Sequence, residues 1–286
     1  MKVLVTGDRG VIGKAVCDCL RVSGDEPVGF DIVNGHDVLN QDSVIKAALN
    51  CDSIVHLAAV DDEIGDGIPS EFQPYSQGSP EHVVAVTVLG TLHILEAAKL
   101  AGHSRVIFMS SVDALGVFMG QRPPDYLPID NEHPTYPSTP YALAKRMAER
   151  MCEDFTKRTD ISTICLRPPG VWTEEIFDFI RKRWEEDPTN DRKPFWEYGA
   201  FIALSDVAKA IICAVHTQFS GHIVLNISSD EVALASQTSY EAASEIHPSV
   251  RWQGGKEYEI NPYRTLLDNT VAKSVLNWKP QIRFKL

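Results

Sequence analysis

The chain has 286 residues, 44% of them hydrophobic, with 18 Gly and 17 Pro, which is enough for one large domain or a main domain with a smaller lobe. A formal net charge of −12 excludes nucleic acid or an anionic membrane as the main partner, because either needs a basic surface. Six cysteines, at 17, 19, 51, 152, 165 and 213, lack zinc-type spacing and read as small core residues in a reducing compartment.

The chain opens on "KVLV", a short buried strand. No signal peptide precedes it, and no uninterrupted apolar run approaches the ~18 residues of a membrane span. A cytoplasmic protein is expected. "VIGKAVCDCLRVSG" has helical apolar spacing and ends on Gly24 as a C-cap. "PVGFD" is a second strand, and "DSVIKAALN" a short helix capped by Asp42 or Ser43. "SIVHLAA" is a third strand, "EHVVAVTVLGTLHILEAAKLAG" a long helix closing on Gly102, and "RVIFMSS" a strand. "TPYALAKRMAERMCEDFTKR" is a helix with Thr139 as N-cap and Pro140 in its first turn. "STICLRPPG" is a strand, and "HIVLNIS" returns to the main sheet or its edge. Strands spaced by helices of this length give βαβ units and a parallel sheet covered on both faces. The fold class is α/β, a doubly wound parallel-sheet Rossmann fold. Residues 1–167 form the dinucleotide-binding domain, and 168–286 an interleaved substrate lobe from which 203–228 returns to the first domain.

Three glycines fall within "VTGDRGVIGK" (5–14), between the first strand and the first helix. Gly7 permits a tight turn, Gly10 lets backbone approach a phosphate, and Gly13 lets helix and strand pack closely. The free N–H groups and dipole at the helix start favour an anion, which reads as a pyrophosphate site. Asp31 ends the second strand, 18 residues past Gly13. A carboxylate there accepts ribose hydroxyls and repels a 2′-phosphate, which favours NAD over NADP.

The turn reads GxxGxxG, and "YALAK" (141–145) supplies a YxxxK motif. With these, the chain resembles the extended short-chain dehydrogenase/reductases of the NAD-dependent epimerase/dehydratase family over nearly its whole length. "TGDRGVIG" is similar to the family's TGxxGxxG turn, and "HDVLN" to its adenine-contacting segment, here Asp37 and Val38. "HLAA" (56–59) resembles a strand motif that lines the cofactor, and "LRPPGVW" the loop bordering the nicotinamide. "VLGTLHILEAAKLAG", "FIALSDVAKAIICAV" and "AKSVLNWKP" resemble further family segments. "FMSSVDALG" resembles the segment with the active-site hydroxyl five residues before a glycine, here Ser111. The resemblance implies NAD contacts at Gly7, Arg9, Gly10, Val11, Ile12, Gly13, Asp31, Asp37, Val38, Leu57, Ala58, Ala59, Tyr141, Lys145 and Pro168. It also implies catalysis by Ser111, Tyr141 and Lys145, with no metal.

Tyr141 and Lys145 are four apart and share one helix face. Bringing a tyrosine from ~10 to ~7 needs about 4 kcal/mol in favour of the phenolate. One ammonium at ~4 Å gives about 1 to 4 kcal/mol. Lys145 alone is therefore marginal, and an oxidised nicotinamide can supply the remainder. Tyr141 would take the proton of a substrate alcohol, with Ser111 holding the oxygen in line. The expected function is NAD-dependent hydride transfer at a secondary alcohol of a sugar or sugar nucleotide. A dehydrogenase of a free sugar or sugar acid is an alternative that a short lobe favours. A catalytically silent NAD sensor is a third reading.

Several positions depart from the family pattern. Thr87 stands where many relatives have asparagine, Leu115 replaces the tyrosine of "VYG", and Ala144 replaces the serine of YxxSK. The Leu115 change is expected to reshape the pocket wall. After Ser111, Val112 and Asp113 stand where the dehydratases carry Asp and Glu, which disfavours dehydration. Asp113 is a candidate for substrate contact or for a turn or capping role. Residues 60–80 form a long acidic connection, read as a lid or as a plain solvated insertion. Residues 176–201 are basic and aromatic; the plainer reading is a solvated helix whose charges pair with Glu185, Glu186 and nearby acids, and the sharper one is that one of Arg181, Arg183 and Arg192 clamps a substrate anion. The partners implied are a sugar-type small molecule and a second copy of the chain. A homodimer would pair the helices at 81–101 and 139–158, with Met147, Met151 and Phe155 on the outer face.

Overall fold

The computed structural model describes residues 1–61, 78–118, 122–187, 198–234 and 237–284. The first strand β1 (Lys2–Thr6) pairs in parallel with β2 (Glu26–Phe30) on one side and β3 (Ser53–His56) on the other. β4 (Arg105–Met109), β6 (Ser162–Arg167) and β9 (His222–Asn226) extend the sheet beyond β3. The order β2-β1-β3-β4-β6-β9 is parallel throughout, with β9 at the edge. The remaining strands, β5 (Tyr126–Leu127), β7 (Val171–Trp172), β8 (Ile202–Ala203) and β10 (Arg251–Trp252), form two two-stranded pairs outside this sheet.

Both faces of the sheet are buried, so the strands read as continuous apolar runs. Val3, Val5, Val55 and Ile107 face α1 (Val11–Val22) and α7 (Leu204–His216). Leu4, Ile54, Val106 and Phe108 face α2 (Gln41–Ala48), α4 (Gly90–Ala101) and α5 (Pro140–Thr159). The cap of α2 is Asn40, whose side chain accepts from Ser43 N, rather than Asp42 or Ser43. The expected long helix is continuous over Pro80–Ala101, and is apolar and long enough to match a membrane span by composition, although it lacks an uninterrupted apolar run. Half of its apolar window is buried inside the protein, as in a core helix. It runs as α3 (Pro80–Val84), a π turn (Ala85–Leu89) and α4. Thr139 caps α5 by accepting from Ala142 N at 3.1 Å, with Pro140 next.

Two smaller cores lie outside the sheet. Val112, Leu115, Phe118, Leu127, Ile129 and Leu267 belong to one of them. Leu115 is fully buried there. Lacking a hydroxyl, it packs among these apolar side chains. Trp172, Phe177, Trp184, Phe201 and Phe284 build the other, an aromatic cluster lined by α6 (Glu174–Glu186). All six cysteines are free.

Candidate active site

The strand order reverses between β1 and β3: one neighbour of β1 follows it directly in the chain, and the chain then returns on the opposite side. A crevice opens at the carboxyl ends of strands at such a point. The register aligns Thr6 with Phe30 and with His56, so Gly7, Asp31 and Leu57 leave the sheet side by side. β3 stops at His56, which frees Leu57, Ala58 and Ala59 to line the crevice.

The crevice is a cavity of about 360 Å³. Its lining includes Gly7, Arg9, Gly10, Val11, Ile12, Gly13, Asp31, Asp37, Val38, Leu57, Ala58, Ala59, Tyr141 and Lys145. Fourteen of the residues proposed to bind NAD therefore converge on one space. Gly7 has φ +72°, and a Cβ there would meet Ala58 N at 2.9 Å. A Cβ on Gly13 would strike the Gly7 carbonyl oxygen. The turn and helix thus lie too close for side chains at either position. The N-cap of α1, Gly10, offers no side chain to the helix start, and no acidic residue occupies the first turn. Those N–H groups are open to an anion. Asp31 accepts from Arg9 N through Oδ2 and from Val33 N through Oδ1, both at 3.0 Å. Each oxygen keeps a lone pair for a ribose hydroxyl. A glycine cradle, an uncapped helix start and a fixed carboxylate together fit the pyrophosphate and ribose of NAD.

The other end of the cavity is organised by one stripe of α5, with Tyr141, Lys145 and Glu149 at successive four-residue steps. Lys145 is buried and donates to the Met109 carbonyl at 2.7 Å, with its Nζ 5.4 Å from the centre of the Tyr141 ring. Burial pushes the Lys145 ammonium down to about 8, against the opposing pull of Asp61, Glu149 and Asp113. Glu149, fully buried, accepts from Ser110 Oγ at 2.6 Å and from Arg167 Nε and Nη2 at 2.7 Å each. The stripe thereby ties the ends of β4 and β6 together. His56 is held at 2.7 Å from Thr6 Oγ1, and burial, with Lys145 nearby, pushes it down to about 3, so it is neutral.

Ser111 begins the turn just after β4. Its Oγ accepts from Asp113 N at 3.1 Å and donates to Asp113 Oδ2 at 2.9 Å. The capping and carboxylate contacts thus coexist at Asp113. Ser111 lies two residues beyond the carbonyl that anchors Lys145, although it is not among the cavity's lining residues. Pro168 is also outside the lining; its carbonyl accepts from Val112 N at 3.1 Å. Thr87 is buried within the π turn, which packs against α5.

Arg181 and Arg183 do not line the cavity. Arg181 pairs with Asp178 at 3.1 Å and lies over Phe177 and Phe284, whereas Arg183 lies over Phe179. Arg192 lies outside the described residues, as does most of the 60–80 connection. Asp61 and His82 also line the cavity, and sequence reasoning did not single them out. It also missed Glu149, although the third step of the Tyr141–Lys145 spacing pointed to it.

This fold and site define a dinucleotide-dependent oxidoreductase with a tyrosine–lysine pair. A model of the NAD dependent epimerase/dehydratase family matches residues 3–228, and the chain belongs to that family. Its cofactor is NAD. The chain is 26% identical over 321 residues to a UDP-glucose 4-epimerase of Mycolicibacterium smegmatis, across 99% of this chain and 94% of that protein. It is 25% identical over 241 residues to a uronate dehydrogenase of Pseudomonas syringae pv. tomato, across 80% and 74% of the two chains. A short-chain dehydrogenase/reductase superfamily protein from Agrobacterium tumefaciens, solved with bound NAD, superposes with a TM-score of 0.70 at 20% identity, over 99% and 94% of the chains.

Proposed function

We propose that this protein oxidises a secondary alcohol of a sugar or sugar nucleotide, with Ser111, Tyr141 and Lys145 as its catalytic residues. The observation that carries the reading is the buried Lys145, anchored on Met109 O beside the Tyr141 ring in a cavity that fits NAD. Bound NAD supplies the hydride acceptor. Tyr141 takes the proton from the substrate hydroxyl, and the Lys145 ammonium stabilises its phenolate. With Lys145 at about 8, roughly nine in ten molecules carry the ammonium at pH 7. Ser111 holds the reacting oxygen in line.

Epimerisation and dehydrogenation share this first step. The similarity to both a UDP-glucose 4-epimerase and a uronate dehydrogenase supports the shared step. Incubation with NAD and a panel of sugars, sugar acids and nucleotide sugars separates the outcomes. Product without net NADH indicates an epimerase, and net NADH a dehydrogenase. Tyr141→Phe is expected to abolish turnover while NAD affinity stays within about twofold, because only the proton acceptor is removed. Near-normal turnover in that variant, or silence across the whole panel, would refute the reading.

The working protein is read as a cytoplasmic homodimer. Exposed Leu89 and Leu92 on one helix and Leu143 and Met147 on α5 support that pairing. The outer face differs from the one expected: Phe155 is fully buried and Met151 packs against the core, so Met147 alone of the three is exposed.

A further inference from the structure

Arg9 lines the cofactor cavity, and three neighbours fix it. Its backbone N–H donates to Asp31 Oδ2 at 3.0 Å. Asn34 lies in the helical turn Ile32–Asn34 that Asp31 caps. With its amide oxygen turned to the guanidinium, it accepts from Arg9 Nε at 2.9 Å and from Nη2 at 3.2 Å. Asp8 Oδ2 lies 3.4 Å from the same Nε. The Asp8 side chain is 10% exposed and that of Arg9 54%, so the pair sits at the rim with its carboxylate on the protein side. Gly29 of β2 makes the space for that carboxylate, because a Cβ there would strike it. Burial raises the Asp8 carboxyl above its ordinary range, Arg9 opposes the rise and Asp31 adds to it. A guanidinium beside the adenosine ribose with its fork free would donate to a 2′-phosphate bidentately. In this chain Nε and Nη2 are already given to Asn34, and the charge faces Asp8.

We infer that Asp8 is a second specificity-determining residue for the cofactor: it commits the Arg9 guanidinium, so that this cation cannot serve a 2′-phosphate. Asp31 acts on the phosphate directly, by repulsion. Asp8 acts through Arg9, by occupying the group that would otherwise attract the phosphate. Asp8 is not among the cavity's lining residues, so it is a positioning residue. The inference rests on NAD as the cofactor, with its adenosine ribose at Asp31. It does not depend on the substrate or the reaction proposed above.

The test reads binding alone, by titration of NAD and NADP into cofactor-free protein. Asp31→Ser removes the direct repulsion and serves as the background. Adding Asp8→Asn keeps the shape packed against Gly29 and removes the charge. Affinity for NADP is then expected to rise by at least about 10-fold, the worth of one hydrogen bond to a charged group. The Kd for NAD is expected to stay within about threefold. Adding Arg9→Ala to that protein is expected to cancel the gain. A merely structural role for Asp8 would instead weaken both cofactors together. A second comparison needs no substitution at Asp8. In the Asp31→Ser background, Arg9→Ala alone is expected to change the affinity for NADP by less than about threefold, because the guanidinium is already committed. A larger loss there would show that Arg9 is available to the phosphate and would overturn the inference. Failure of Asp8→Asn to tighten NADP, or a gain that survives Arg9→Ala, overturns it equally.

Discussion

Lys145→Met removes a buried ammonium and keeps a side chain of similar length. The fall of Lys145 from its ordinary 10.5 to about 8 corresponds to about 3 kcal/mol of destabilisation from burying the charge. Below pH 8 the folded and unfolded chains both hold the proton, and the whole cost is present. Between 8 and 10.5 the unfolded chain keeps the proton while the folded one sheds it, so this contribution to stability rises with pH. Above 10.5 the cost is gone. At pH 7 the methionine variant recovers the cost but leaves the Met109 carbonyl without its donor, a loss of about 1 to 3 kcal/mol. It is expected to equal or exceed the wild type by up to about 2 kcal/mol while losing turnover. The decisive quantity is the change in the difference between the two proteins. Urea unfolding of the NAD-free proteins at pH 7 and pH 10.5 is expected to show the wild type gaining about 2 to 3 kcal/mol on the variant. Other groups that titrate in this range cancel in the comparison. A pH-independent difference would falsify the claim that burial holds Lys145 near 8.

Asp31 is expected to make NADP bind at least about 10-fold more weakly than NAD, and Asp31→Ser to narrow the gap; titration of both cofactors measures it. Glu149→Gln leaves Arg167 buried without its counter-charge and is expected to cost about 3 to 5 kcal/mol, seen as a lowered urea midpoint. A drop of less than about 1 kcal/mol would mean that Arg167 finds another partner. Light scattering at micromolar concentration is expected to give twice the chain mass of 31.7 kDa, and Leu143→Glu with Met147→Glu to return it to the monomer.

The sheet and the cofactor cradle were legible because their signals are local. The alternation of strands and helices, the glycine spacing and the terminal aspartate of β2 each fall within a short stretch of chain. Thr139 and Pro140 announced α5 for the same reason, whereas the α2 cap was misplaced by two or three residues because Asn40, Asp42 and Ser43 are all competent caps. The polar ties were less legible. Glu149 meets Arg167 across 18 residues and His56 meets Thr6 across 50, and nothing local in the sequence specifies such pairs. Phe155 was assigned to the outer face because helical spacing gives the stripe but not which neighbour covers it. In the fold it is buried with Ala148 and Cys152. The proton shared between Ser111 and Asp113 depends on the turn geometry, which the residue types alone left open between a cap and a substrate contact.

Among the described residues, the lining of the cofactor cavity is drawn from residues 7 to 145, whereas the sheet is completed only by β9 at His222–Asn226. On the ribosome, at about 5 to 20 residues per second, roughly 4 to 16 seconds separate synthesis of the last lining residue from that of the last strand. Every described residue that lines the cofactor cavity is thus made before the edge that closes the sheet. Cofactor supply during translation can therefore act as a chaperone, holding β1, β2 and β3 in register while the rest of the chain is still being made. Depletion of NAD would then lower the yield of folded protein, beyond any effect on its turnover.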